Sequence, residues 1–159
     1  MMDTKSPANS FKSPLQNISI KPVEQKPADR DPQDLLDALY WVWDAFDRSN
    51  VPFFLVHQTY EDAIKDRSLR GDKVEIGIRK NEWNSGGRRI LENFIQPVKE
   101  SETEALYEFR RVNSNEVPVP VILHIYPDSP CITATNPIMY KYENFSVPNP
   151  YSEFIKIYG

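Results

Sequence analysis

The chain has 159 residues, 26% of them charged and 40% hydrophobic, with a net charge of -4 at neutral pH. That length supports one core plus a tail rather than two domains. No run approaches the ~20 consecutive apolar residues of a membrane span, and the N-terminus has neither a signal-peptide core nor an Arg-rich transit composition, so a cytoplasmic protein is expected. A single cysteine, Cys131, excludes an internal disulfide and a Cys-cluster zinc site, and two histidines, His57 and His124, exclude an all-histidine metal site. The acidic balance argues against nucleic acid as a partner.

Residues 1–31 read as an arm. Pro7, Pro14, Pro22, Pro27 and Pro32 crowd the first 32 residues among Ser, Lys, Gln and Asn, and Phe11 is the one aromatic before Tyr40. Such a composition buries too little apolar surface to offset its ordering entropy. It is either a flexible leader or a docking arm for a protein partner, with Phe11, Leu15, Ile18, Ile20 and Val23 as spaced apolar anchors.

The folded unit, 32–159, is expected to begin at Asp31-Pro32, an N-cap followed by a proline at the first helical position. Leu35, Leu36, Leu39, Trp43 and Phe46 then recur at helical spacing as far as Ser49-Asn50. Residues 53–56 read as a short buried strand, 59–66 as a brief helix and 67–71 as a loop. Lys73 to Arg79 alternates as a strand, with Val74, Ile76 and Ile78 on one face and Lys73, Glu75, Gly77 and Arg79 on the other. Gly86-Gly87 is read as a break before a helix that turns Ile90, Leu91, Phe94 and Ile95 inward. Leu106 to Val112 and Val117 to Tyr126 read as strands, the start of the second pushed toward a sheet edge by Pro118 and Pro120. An extended stretch over 138–147 leads through Pro148 and Pro150 into a last helix carrying Tyr151, Phe154, Ile155 and Tyr158.

Phosphoryl and nucleotidyl transfer need a divalent metal held by carboxylates that project together, and residues i and i+2 of a strand supply that geometry. The strand 73–79 offers Glu75, with Lys73 two residues earlier and Asp72 just before the strand. The alternative is a solvated cross-strand ion pair. Lys65, Arg67, Arg70, Lys73, Arg79 and Lys80 form a cationic stretch that suits a phosphate-bearing small molecule, or a solvated polar edge. His124, alternating with Ile122 and Tyr126, is either a hydrogen-bonded residue near the core or a base, and His57 at a strand end has the same two readings. Cys131, in a Pro-rich stretch without a sequence-local partner, does not read as a nucleophile.

The run from His57 to Asp66 followed by Gly71-Asp72-Lys73-Val74-Glu75-Ile76-Gly77-Ile78 resembles the core of the LicD-like branch of the nucleotidyltransferase fold, which includes phosphorylcholine transferases and fukutin-related proteins. Thr59, Ala63, Ile64, Lys65, Asp72, Glu75 and Gly77 keep that pattern. Val121 to Pro127 is similar to the strand ending in Asp-Ile-Phe-Pro, and Phe145 to Gly159 to the closing Pro turn, helix and Tyr-Gly. The resemblance implies an α+β fold in which a small mixed sheet is flanked by helices and preceded by the N-terminal arm.

It also implies a site. Asp72 and Glu75 would be the metal ligands, Mg²⁺ the cofactor of an active enzyme, and Glu75, Asp72 and His124 the catalytic set. Thr59, Lys65, Lys73 and Arg79 would hold the phosphate-bearing cofactor or ligand. The departures concern that site: Gln58 and Asp62 replace two glycines, Lys73 replaces the first acid and His124 the third. The first expectation is therefore a degenerate catalytic site and a binding role, toward a protein partner or a phosphate-bearing ligand. Two alternatives stand beside it, an active Mg²⁺-dependent nucleotidyl- or phosphoryl-group transferase and a structural subunit of a larger assembly held by its arm.

Overall fold

Asp31 starts the first helix as its sequence dictates. Its carboxylate accepts the Gln33 N–H at 2.9 Å, and α1 runs from Pro32 to Arg48. Leu35, Ala38, Leu39, Val42, Ala45 and Phe46 form its buried stripe, each fully covered Leu or Phe being worth roughly 1.5–3 kcal/mol of transfer free energy. The structure, a computed structural model, describes residues 30–110, 117–128 and 135–158. The arm up to residue 29 and Cys131 lie outside them. Arg30, read as part of the arm, is already tied to the folded unit by bonds to Gly71 O, Asp72 O and Val117 O.

Five strands form one mixed sheet: β1 (Phe54–Leu55), β2 (Val74–Arg79), β3 (Lys99–Glu100), β4 (Glu104–Phe109) and β5 (Val119–Tyr126). Their order is β1-β2-β5-β4-β3, with β2 and β5 parallel and the other neighbours antiparallel. Val74, Ile76 and Ile78, with Val119, Val121, Leu123 and Ile125, pack on the α1 stripe as the main core. Phe54, Val56, Tyr126 and Phe154 make a smaller second cluster, so β2 is buried along both faces. The expected α+β architecture of a small mixed sheet flanked by helices is the one observed.

Several local expectations are corrected. Helix α2 spans His57–Ile64, two residues earlier than its composition indicates, because the chain turns directly from β1 into it. Gly86-Gly87 is no break: a short helix α3 (Lys80–Glu82), a π-turn (Trp83–Gly87) and α4 (Arg88–Glu92) follow one another continuously. Gly87 packs closely there, since a Cβ would stand 2.9 Å from Ile78 Cδ1 and 3.3 Å from Glu82 O. Phe94, expected inward, is 64% exposed because α4 ends before it. Strand β5 lies mid-sheet, and the edge expected from its prolines is confined to its start. Its Pro120 precedes the first pair with β2, Val74 with Val121, so the missing N–H falls where β2 has not begun. The extended stretch over 138–147 is a hairpin of β6 (Thr135–Tyr140) and β7 (Glu143–Pro148), turned at Lys141 with φ 59°. Helix α5, Tyr151–Tyr158, closes the described chain.

Candidate functional site

The register of β2 against β5 pairs Glu75 with Ile122 and Gly77 with His124, so these side chains leave the sheet on the face opposite the main core. Glu104 of β4 lies across from His124 on that face. Strand β1 stops at Leu55, paired with Ile76, and the next N–H of β2, that of Glu75, is taken by Thr59 Oγ1 at 2.9 Å. Thr59 therefore extends the pairing that the short strand cannot, and both residues are buried. His57 begins α2 with φ 55°, a left-handed conformation that costs about 1 kcal/mol or more for a non-glycine residue. Its N–H donates to the Tyr151 hydroxyl at 2.8 Å, and Tyr151 stacks on Tyr60 at 3.6 Å.

The outcome is a converged group of three. The ligand atoms of His57, Glu75 and His124 lie within 4.8 Å of one another. His124 Nε2 is 3.0 Å from Glu75 Oε1, its Nδ1 is 3.8 Å from Glu104 Oε2, and the two imidazole rings meet edge to face at 4.8 Å. Burial alone would push the Glu75 carboxyl up, but the hydrogen bond to His124 and the charges of His57, His124 and Lys73 outweigh it and hold the carboxyl below its usual range. Burial pushes the His57 imidazolium down, opposed by Glu75 and reinforced by His124 and Lys73. His57, His124, Glu104 and Tyr126, with Thr103 and Tyr158, line a cleft of about 340 Å³.

Of the residues singled out from sequence, Glu75 and His124 are brought together. Asp72 is not in the converged group; it precedes β2, and its carbonyl accepts Arg30 Nε at 3.0 Å. Lys73 is exposed beside the strand start. Lys65 pairs with Glu61 at 3.4 Å on α2 and Arg79 with Glu82 at 3.5 Å, so these cations serve local partners. Arg67 and Arg70 both contact Asp62, at 2.9 and 3.2 Å. Asp62 is fully buried and also accepts the Gln58 side-chain amide and the Arg70 N–H, each at 2.9 Å. The two positions that the resemblance aligns with glycines thus hold a carboxylate-centred network that fixes the turn after α2.

Sequence reasoning missed His57 as a partner of Glu75 and His124. The signal was its place at the end of an apolar strand, where a chain entering a helix turns its first side chain over the sheet. It also missed Glu104, which only the strand order brings beside His124.

No family model matches the chain, and no curated protein matches it. Among solved structures it is similar to an antigenic nucleotidyltransferase-like protein from Paracoccidioides brasiliensis, with a TM-score of 0.53 and 11% identity. The match covers 76% of this chain and 63% of that one. At this identity the likeness carries the fold alone, and the mixed sheet with its flanking helices is accordingly a nucleotidyltransferase-like fold.

Proposed function

We propose that this protein works by binding rather than by nucleotidyl transfer, taking a phosphate-bearing ligand in the cleft beside His124 or a protein partner through residues 1–31. The observation that carries this reading is the 3.0 Å contact between His124 Nε2 and Glu75 Oε1. Where the resemblance implies carboxylates gathered round Mg²⁺, the converged donors are two imidazoles and one carboxylate. Mg²⁺ takes oxygen ligands in near-ideal octahedral geometry, so this donor set does not fit it, and no catalytic step is derived through it. The Asp62 network adds support, since it occupies the segment that would otherwise leave bare backbone for a phosphate.

The test is thermal unfolding of the full chain with Mg²⁺ or Mn²⁺ and a panel of nucleoside triphosphates and nucleotide-activated cholines and sugars, beside Glu75→Ala. Binding to the native state at a hundredfold excess over Kd stabilises by about 2.7 kcal/mol, which a melt resolves. The expected result is stabilisation that needs no metal, or none with these ligands and retained partner capture that is lost on deleting residues 1–29. A Mg²⁺-dependent shift accompanied by turnover, both abolished in Glu75→Ala, would establish the transferase instead.

A further inference from the structure

We propose that His57, Glu75 and His124 form a binding site for one borderline divalent cation, Zn²⁺ by preference, with its remaining coordination position facing the cleft. The inference goes beyond the binding role and does not depend on it. Two imidazoles and a carboxylate are a donor set that Zn²⁺ uses, with ligand distances of about 2.0–2.2 Å. Three such donors on one tetrahedral ion stand about 3.4 Å apart. Here Glu75 and His124 are already 3.0 Å apart and the whole group lies within 4.8 Å, so a modest side-chain rotation closes it around an ion.

The three ligands come from three elements: the first turn of α2, the start of β2 and the far half of β5. Each has a polar neighbour. Glu104 Oε2 stands 3.8 Å from His124 Nδ1, too far for a direct hydrogen bond but near enough to add negative charge behind the ring, which favours a cation at the opposite nitrogen. The Tyr151 hydroxyl holds the His57 backbone at φ 55°, and Thr59 holds the Glu75 backbone. A hydrogen bond between Glu75 and His124 would need neither His57 nor Glu104. An ion accounts for all four, because it neutralises one nearly buried carboxylate, draws on both imidazoles and gains from the second carboxylate behind His124. His57 and His124 both line the cleft of about 340 Å³, so the side of the cluster away from Glu75 is open to water or to an anionic ligand oxygen.

The experiment uses the full, tag-free chain stripped of metal, and Zn²⁺ alone as the probe. A chelator-competition titration gives affinity and stoichiometry, and long-range ¹H–¹⁵N spectra follow the imidazole nitrogens. The chain has only two histidines, so both sets of signals are assigned by single substitutions. The expected result is one Zn²⁺ per chain, with both rings moving to the metal-bound pattern. Affinity should fall on the order of 100-fold in His57→Asn or His124→Gln and roughly tenfold in Glu104→Gln. His57→Asn is chosen because Asn tolerates positive φ. It should be unchanged in Cys131→Ser, which removes the competing thiol, and a large excess of Mg²⁺ should not displace the ion. Absent Zn²⁺ binding, equal binding by the His57→Asn and His124→Gln variants, or imidazole signals unmoved at saturation would overturn the proposal. Should a variant fail to fold, the imidazole spectra of the unsubstituted chain still decide. A failure here leaves the binding role standing, because that reading is decided by the Mg²⁺ and nucleotide melts.

Discussion

His124 stands beside Gly77 on the neighbouring parallel strand and reaches along it to Glu75, with Nε2 to Oε1 at 3.0 Å. The contact satisfies a carboxylate whose side chain is only 12% exposed. A hydrogen bond to a charged group contributes about 1.5–3 kcal/mol, and leaving the carboxylate unpaired adds desolvation. In metal-free buffer, His124→Ala should lower unfolding free energy by about 2 kcal/mol in urea titration at pH 7. A midpoint unchanged from the parent would mean that Glu75 finds another partner.

Gly77 is a packing requirement. A Cβ there would lie 2.4 Å from Phe54 Cε2 and 2.8 Å from Tyr126 Cε2, and both rings are held by Phe154 at 5.8 and 5.1 Å between centroids. Gly77→Ala should cost about 1–3 kcal/mol by overpacking, read as a lower urea midpoint. Because the clash is with the second cluster, Phe54→Leu in the same chain should restore part of the loss, a coupling that a double-mutant cycle measures.

Asp62 is buried while its two arginines keep side-chain exposures of 35% and 53%. Removing the carboxylate lets the guanidinium groups return to water but strands the Arg70 N–H that it accepts at 2.9 Å. Asp62→Ala should therefore destabilise by about 2 kcal/mol, less than a pair buried on both sides. Arg70→Ala alone should cost well under half as much, since Arg67 still pairs with the acid. Chemical denaturation of the two variants side by side separates these outcomes.

Tyr107 shows the opposite sign. It is fully buried, and its hydroxyl has no hydrogen-bond partner among the described residues. Burial, then the charges of Glu100 and Glu92, push its ionisation far above the ordinary tyrosine range. Tyr107→Phe keeps the ring against Trp83 at 6.4 Å and removes the orphaned group. The variant should gain about 1 kcal/mol, seen as a higher Tm. A lower Tm would reveal a partner for the hydroxyl.

Tyr140 predicts alkaline lability. Its hydroxyl donates to the Arg67 carbonyl oxygen, and burial, followed by the nearby Asp62 and Asp66, pushes its pKa up to about 12. The folded state thus favours the neutral phenol over an unfolded chain that ionises near pH 10. Its contribution is complete below pH 10 and is lost as pH rises from 10 through 12. Tyr140→Phe should cost about 1 kcal/mol at pH 8 through the lost hydrogen bond and should then lose less stability than the parent between pH 10 and 12. Urea midpoints across that range test this, and parallel profiles for the two chains would contradict it.

What could be read along the chain is what neighbouring residues decide among themselves. Asp31-Pro32 and the stripe from Leu35 to Phe46 specify α1, and the alternation from Val74 to Arg79 specifies β2 with Glu75 on the face away from Ile76. Gly86-Gly87 misled because a glycine pair marks either a bend or a close contact, and only the position of Ile78 selects the second. Pro120 marked an edge that is local to the start of β5.

The site lay beyond local reading for a related reason. Glu75 and His124 are 49 residues apart, and which face of β5 meets which residue of β2 follows from strand order and register, to which the whole core contributes. His57 joins them because β1 ends after Leu55 and α2 begins at once, and Glu104 because β4 pairs with the far side of β5. Neighbouring residues are enough to specify most of the elements and the chemical types available, two imidazoles and a surplus of acids. Which acid meets the imidazoles follows from strand order and register, because convergence depends on long-range packing and a side chain carries no record of its distant neighbours.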